Sequence, residues 1–292
     1  MKRPPRGSRD NTERNMKTYA LYLGCNIPAR VQSYETASRA VLERLGVRLL
    51  ESREFACCGY PLRNVDRGAY LLSAARNLAL AGRTGHDMLV LCSCCFGSLK
   101  DAQHQLRRDP EARREADRRL RREGLHYDGD IEVKHLLSVL RHDVGLEALK
   151  THITRPFEDL KIGAHYGCHA LRPSHVTEFD DPVAPTLFEA LVEVTGAKCV
   201  EWDPRMDCCG APLLGVNDEL SLDLTRGKLR KAAEAGVDYL CTACPYCQLQ
   251  FETVQRKWIA GNGSGTPAVA SLVYPELLAR CMGLEDERLK RP

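Results

Sequence analysis

Cys57-Cys58-Gly59 and Cys92-Ser93-Cys94-Cys95, preceded by Cys25, return later in the chain as Cys208-Cys209-Gly210 and Cys244-Pro245-Tyr246-Cys247, preceded by Cys168. Written as spacings, the two sets are C-x31-CC-x33-C-x-x-C and C-x39-CC-x34-C-x-x-C. Their surroundings repeat as well: Tyr22-Leu23-Gly24-Cys25 answers His165-Tyr166-Gly167-Cys168, and Phe96-Gly97-Ser98-Leu99 answers Gln248-Leu249-Gln250-Phe251. Ten cysteines in one order, used twice, imply a chain of two related halves, each built around a thiolate cluster.

Working outward from the cysteines, the residues before them read as strands. Thr18–Leu23 is an apolar and aromatic run that delivers Cys25, and Asp87–Leu91 ends directly at Cys92. Val47–Leu50 leads toward Cys57. Between these, Tyr34, Ala37, Val41 and Leu45 recur at helical spacing up to Gly46, and a second helix covers about Ala69 to Ala81. The second half follows suit: a strand Lys161–Tyr166, a helix marked by Leu187, Leu191 and Val194 that stops at Gly196, and a strand Lys198–Trp202. A helix Leu220–Ala235 and a strand Val237–Leu240 then reach the last cysteine group. Strands alternating with helices specify α/β architecture, and sites in such folds lie beyond the carboxyl ends of the strands. A single charged helix is expected over Asp101–Glu123, a helix and linker over Ile131–Leu149, a Gly/Ser loop at Gly261–Gly265, and a closing helix ending near Met282. The expected divisions are a basic tail over residues 1–16, a first domain over 17–150 and a second over 151–292.

At 292 residues and 43% apolar content the chain can build its cores without disulfide staples, so fourteen cysteines need another explanation. The first sixteen residues contain no apolar segment of signal-peptide type, and no run approaches bilayer length. Reduced, metal-binding cysteines in the cytoplasm are the expectation, which excludes a disulfide-rich extracellular module. Eight arginines between Arg107 and Arg122 invite a nucleic-acid reading. Asp109, Glu111, Glu115 and Asp117 are interleaved among them, with no aromatic platform, so a solvated helix face is the better reading.

Cys-x-x-Cys alone serves zinc ribbons, redox dithiols and iron–sulfur sites alike. The vicinal pair narrows the choice. Adjacent cysteines strain a mutual disulfide, but each sulfur can reach a different metal of a polynuclear centre. Zinc saturates at four ligands and would leave one thiolate of each five idle, so iron–sulfur chemistry is favoured over zinc.

On these motifs the chain resembles the CCG-domain proteins, and specifically the B subunit of heterodisulfide reductase, from about Thr18 to Leu284. Val133-Lys134-His135-Leu136, Asp143-Val144-Gly145-Leu146, His165-Tyr166-Gly167-Cys168-His169, Leu191–Lys198 and Cys244-Pro245-Tyr246-Cys247 extend the resemblance beyond the cysteine pattern. It implies two homologous CCG domains in pseudo-twofold arrangement, each a small, mostly parallel sheet with flanking helices. It implies two noncubane [4Fe-4S] clusters, one on Cys25, Cys57, Cys58, Cys92 and Cys95, the other on Cys168, Cys208, Cys209, Cys244 and Cys247, with a disulfide cleaved between them. The substrate would be the coenzyme M–coenzyme B heterodisulfide or another disulfide or sulfur carrier, with turnover possible in the thiol-oxidising direction. Expected partners are two further subunits of such a complex, one ferredoxin-like and one flavin-containing, with membrane association only through them.

His169 reads either as a proton donor to a departing thiolate or as a residue that orients the cluster loop, and His165 reads as structural. Gly59 and Gly210 are expected to permit tight turns beneath the clusters. Cys199 and Cys281 read as core residues; Cys94 and Cys241 fall outside the ligand pattern but close to the clusters, with a role as alternative ligands the lesser reading. The competing function is that of a non-catalytic electron-transfer protein, like the CCG subunits of respiratory lactate, glycerol-3-phosphate or unusual succinate dehydrogenases. Completeness of both cysteine sets favours catalysis.

Overall fold

Two parallel sheets, with central strands buried and helices covering their faces, make up the fold. A computed structural model describes residues 16–259 and 265–284. The first sheet runs β2-β1-β3-β4, from β1 (Thr18–Tyr22), β2 (Arg48–Leu50), β3 (Met88–Val90) and β4 (Val133–His135). The second runs β6-β5-β7-β8, from β5 (Lys161–His165), β6 (Lys198–Cys199), β7 (Tyr239–Thr242) and β8 (Ala270–Val273). All six pairings are parallel, with Tyr19 opposite Leu49, Leu21 opposite Leu89, Gly163 opposite Leu240 and Cys241 opposite Leu272 among the registers.

The strand order reverses between β1 and β3, and between β5 and β7. Cys25 and Cys92 follow the first pair, and Cys168 and Cys244 follow the second. Each cysteine set therefore sits at a topological switch point, where the loops diverge and leave a crevice.

Helix limits follow local chemistry. The Gln32–Arg44 helix buries Tyr34, Ala37, Val41 and Leu42 and is released by Gly46 at φ +68°. The Arg67–Thr84 helix starts where the Asp66 carboxylate accepts from the Ala69 N–H at 2.9 Å, and the Asp218–Glu234 helix starts where Asn217 does the same for Leu220 at 3.1 Å.

Four expectations are corrected. The charged segment is two helices, Ser93–Arg108 and Pro110–Leu120, because Pro110 cannot continue the first and Asp109 caps the second through the Ala112 N–H. The Ile131–Leu149 region opens with a strand, β4, before turning helical, with a π-helical stretch at Val139–Gly145. Another strand, β8, precedes the closing Tyr274–Cys281 helix. Only Lys198–Cys199 of the Lys198–Trp202 strand pairs; Trp202 turns inward and donates to the Ala164 carbonyl at 3.0 Å. The basic tail, apart from Met16, and Gly261–Ser264 lie outside the described residues.

The halves interlock. The Tyr274–Cys281 helix of the second packs on the Gln32–Arg44 helix of the first, and the Leu136–Ser138 turn of the first packs on the Leu187–Glu193 helix of the second. Tyr34 fastens the centre: its buried hydroxyl meets both the Leu91 carbonyl at 2.5 Å and the Ala243 carbonyl at 3.1 Å, at the ends of β3 and β7. At Gly97 the Ser93–Arg108 helix passes so close to the second half that an added Cβ would lie 2.4 Å from the His169 carbonyl oxygen. The two cysteine sets face one another across this seam.

Candidate metal centres

Each set begins as a chain of neighbouring sulfurs. In the first, Cys25 and Cys58 donate toward Cys57, which is held down to about 2, while Cys58 is pushed up to about 12 by its bond to Cys57. Cys58 also meets Cys95, which in turn meets Cys92. In the second, Cys168 and Cys209 donate toward Cys208, also held down to about 2, and Cys209 meets Cys247, which meets Cys244. All five sulfurs expected for each set are thus brought together. None of the fourteen cysteines is in a disulfide.

Crowded thiolates repel one another unless a cation neutralises them, and soft sulfur donors select iron–sulfur centres or zinc over hard cations. Five sulfurs per set exceed what one tetrahedral zinc uses. The donor set fits an iron–sulfur group.

The backbone is shaped to admit it. Gly59 and Gly210 adopt φ of +84° and +94°, and an added Cβ would lie 3.0 Å from the Tyr70 carbonyl oxygen in the first case and 2.4 Å from that of Ser221 in the second. Side chains of the following helices hold the vicinal pairs in place. Ser73 donates to the Cys57 carbonyl at 2.7 Å and Asn77 to the same oxygen at 3.0 Å, while Thr225 donates to the Cys209 carbonyl at 3.0 Å.

The two sets adjoin. Cys92, Cys94 and Cys244 place their sulfurs within 4.8 Å of one another, and Cys94 lies 3.8 Å from Cys244. A shallow concavity lies over each set, and Cys94 and Tyr246 line both. Cys94 occupies the place in its Cys-x-x-Cys loop that Tyr246 has in the other, so a thiol and a phenol divide the shared wall. Tyr60 adds a second aromatic side, 6.1 Å from Tyr246 between ring centroids.

His169 sits on this wall. Its Nδ1 is 3.3 Å from the Cys94 sulfur and 3.5 Å from that of Cys168, and its ring meets Tyr60 edge-on at 5.0 Å. Burial pulls its pKa below the ordinary imidazole range.

Cys241 is not beside a ligand group. It is buried in β7 near Cys199 and Glu276, and burial pushes its thiol up. Its position in the strand, three residues before Cys244, directs it to the sheet interior instead of the crevice. Cys281 is buried in the last helix, near the Thr195 carbonyl. Tyr60, Tyr246 and a buried lysine, Lys228, are additions to the expected site; the repeated Gly-x-Pro-Leu sequences after the vicinal pairs, Gly59–Leu62 and Gly210–Leu213, are the signal that points to the first.

The cysteine-rich domain, CCG, matches residues 19–100 and again residues 162–252. The chain belongs to the CCG family. The B subunit of ferredoxin:CoB-CoM heterodisulfide reductase from Methanosarcina mazei is 37% identical over 281 residues, 94% of this chain and 92% of that one. A protein of Archaeoglobus profundus described as like the B subunit of heterodisulfide reductase is 31% identical over 94% of this chain and 93% of its own. The 8-methylmenaquinol:fumarate reductase membrane anchor subunit of Wolinella succinogenes is 33% identical over 82% of this chain and 83% of its own. Among solved structures, a hypothetical protein from Helicobacter pylori shares the fold at a TM-score of 0.72 and 21% identity; the match covers 94% of this chain and 50% of that one. Among the described residues of this CCG protein, no helix is long and apolar enough to cross a membrane.

Proposed function

We propose that this protein is the iron–sulfur subunit of a heterodisulfide reductase-like complex, and that it cleaves, or in reverse forms, a disulfide between two noncubane [4Fe-4S] clusters. Cys25, Cys57, Cys58, Cys92 and Cys95 hold one in this reading; Cys168, Cys208, Cys209, Cys244 and Cys247 hold the other. The observation that carries it is the apposition of two complete five-sulfur sets across one seam, with Cys94 and Tyr246 common to both concavities. A protein that only passes electrons needs one entry and one exit, not two sulfur-rich crevices opening on the same wall.

When bound, the clusters supply one electron each and iron sites that favour the departing thiolates over the intact disulfide. The chain's own residues supply the rest. In this reading Tyr60 and Tyr246 flank the space in which an S–S bond is held between the two sets. In this reading His169, whose Nδ1 is 3.5 Å from the Cys168 sulfur, gives a proton to one product sulfur. In the reducing direction the S–S bond takes up two electrons and two protons and leaves as two thiols. The coenzyme M–coenzyme B heterodisulfide named in the relatives is the first substrate to test. This reading requires two partner subunits, one ferredoxin-like and one flavin-containing, in the cytoplasm or at a membrane face through them.

The Wolinella relative favours a second reading, in which the protein only passes electrons within a respiratory complex. One assay separates the two. Anaerobically loaded protein with a reduced viologen as donor should oxidise the dye only when a disulfide is added, releasing two thiols per disulfide consumed. Dye oxidation that ignores every organic disulfide and responds only to a redox partner would establish electron transfer alone.

A further inference from the structure

The repeat allows the floors beneath the two cysteine sets to be compared residue by residue, and they differ. Tyr22 of the first half takes the place of His165 in the second, each three residues before the first cysteine of its set. Alignment of Gly59 with Gly210 carries Tyr70 onto Ser221, whose carbonyls make the matching contacts, and Asn77 onto Lys228. The first floor is neutral and its polar atoms are committed. Tyr22 gives its proton to the Ala56 carbonyl at 2.6 Å, and Asn77 bonds the Ala56 N–H and the Cys57 carbonyl.

The second floor carries basic groups instead. His165 is fully buried, and its ring reaches within 4.8 Å of the Cys209 and Cys247 sulfurs. Lys228 is 2% exposed. Its ammonium donates to the Pro204 carbonyl and stands 5.2 Å from the centroid of the Trp202 ring, which also neighbours His165. No carboxylate lies within ion-pair distance of it among the described residues; Asp207, the nearest acidic influence, is solvent-exposed. Burial pulls the Lys228 pKa down, and the groups that most oppose this are the sulfurs of Cys209 and Cys247, which are thiolates once a metal centre is bound. Arg63 does not restore the balance at the first set, because it is a third exposed and faces Asp101 at 3.8 Å.

We infer that the two metal centres are electronically inequivalent, and that the basic floor of His165 and Lys228 makes the centre on the Cys168 set the first to accept an electron. The inference rests on the reading that iron–sulfur centres occupy both sets. A positive charge and an N–H donor close to cluster sulfurs favour the more negative, reduced state and so raise its potential. His165 and Lys228 are positioning residues in this scheme. They act through the centre and need not touch the substrate.

The test is a redox titration of the anaerobically loaded full chain, followed by electron paramagnetic resonance, on wild type, Lys228→Met, Lys228→Arg and His165→Phe. Wild type should show two separate midpoint potentials. Lys228→Met should lower only the higher one, by at least a tenfold change in electron occupancy, or about 59 mV for a one-electron couple. His165→Phe should move the same potential in the same direction, and Lys228→Arg should bring it back. Lys228→Met and His165→Phe are read independently, so loss of iron in one leaves the other to decide. A single shared potential in wild type overturns the inference, as does an unmoved higher potential at full iron content. Wild-type protein without iron on the Cys168 set removes the underlying reading, and the inference with it.

Discussion

Gly210→Ala places a methyl carbon 2.4 Å from the Ser221 carbonyl oxygen, about 1 Å inside ordinary contact, at a residue whose φ is +94°. Two costs combine. An L-residue in left-handed geometry costs about 1–2 kcal/mol, and overpacking against backbone adds about 1–3 kcal/mol. The Ser221 carbonyl is part of the Asp218–Glu234 helix and cannot swing aside like a side chain, so the two together come to about 3 kcal/mol. Gly59→Ala meets the Tyr70 carbonyl at 3.0 Å with φ +84°, so it bears the same backbone cost with a milder clash, about 2 kcal/mol in all. Both are large fractions of a typical domain stability of about 5–15 kcal/mol. Urea unfolding of the reduced protein followed by circular dichroism should rank wild type above Gly59→Ala and Gly59→Ala above Gly210→Ala, with iron lost first from the more affected set. A Gly210→Ala protein as stable as wild type, or more stable than Gly59→Ala, would refute the reasoning from close approach.

His169→Asn should leave iron content unchanged and slow disulfide cleavage about 100-fold, the low end for loss of a general acid; loss of iron instead would assign His169 to shaping its loop. Asp143 accepts from Tyr19 at 2.7 Å and from Lys134 at 2.9 Å; burial opposes its charge, but these bonds outweigh it and hold its carboxyl below the ordinary 3.8. Because the folded pKa is depressed, its contribution is present above the unfolded value and is lost as pH falls through the folded one. The stability gap between wild type and Asp143→Asn should therefore be constant from about pH 5 to 7 and close below about pH 4; a gap that persists in acid would contradict the assignment.

Most of this architecture is legible in the sequence because the strands that matter end in cysteines. Thr18–Tyr22, Met88–Val90 and Lys161–His165 are apolar runs whose last residues lead straight to a ligand group, so chain direction and site position come together. The outer strands are not legible. Val133–His135 is three residues long and Ala270–Val273 four, too short to show a period, and each exists because β3 or β7 offers an open edge far away in sequence. The helix break at Asp109-Pro110 carries a clear proline signal, but it is masked by the unbroken run of charges around it. The sulfur sets are legible from spacing alone, but their apposition is not, since it depends on the Tyr34 bridge and the Gly97 approach between halves. Lys228 is hidden for a different reason. A lysine in an amphipathic helix reads as surface, and only aligning the two repeats on Gly59 and Gly210 pairs it with Asn77, while the structure shows it buried.

Metal and acid-labile sulfide content of anaerobically purified protein, with electron paramagnetic resonance before and after addition of a thiol substrate, tests the central claim most directly. Two loaded centres require about eight irons and a matching amount of sulfide per chain, with a paramagnetic signal that changes when thiol binds. Zinc in place of iron, from protein never exposed to oxygen, would contradict it.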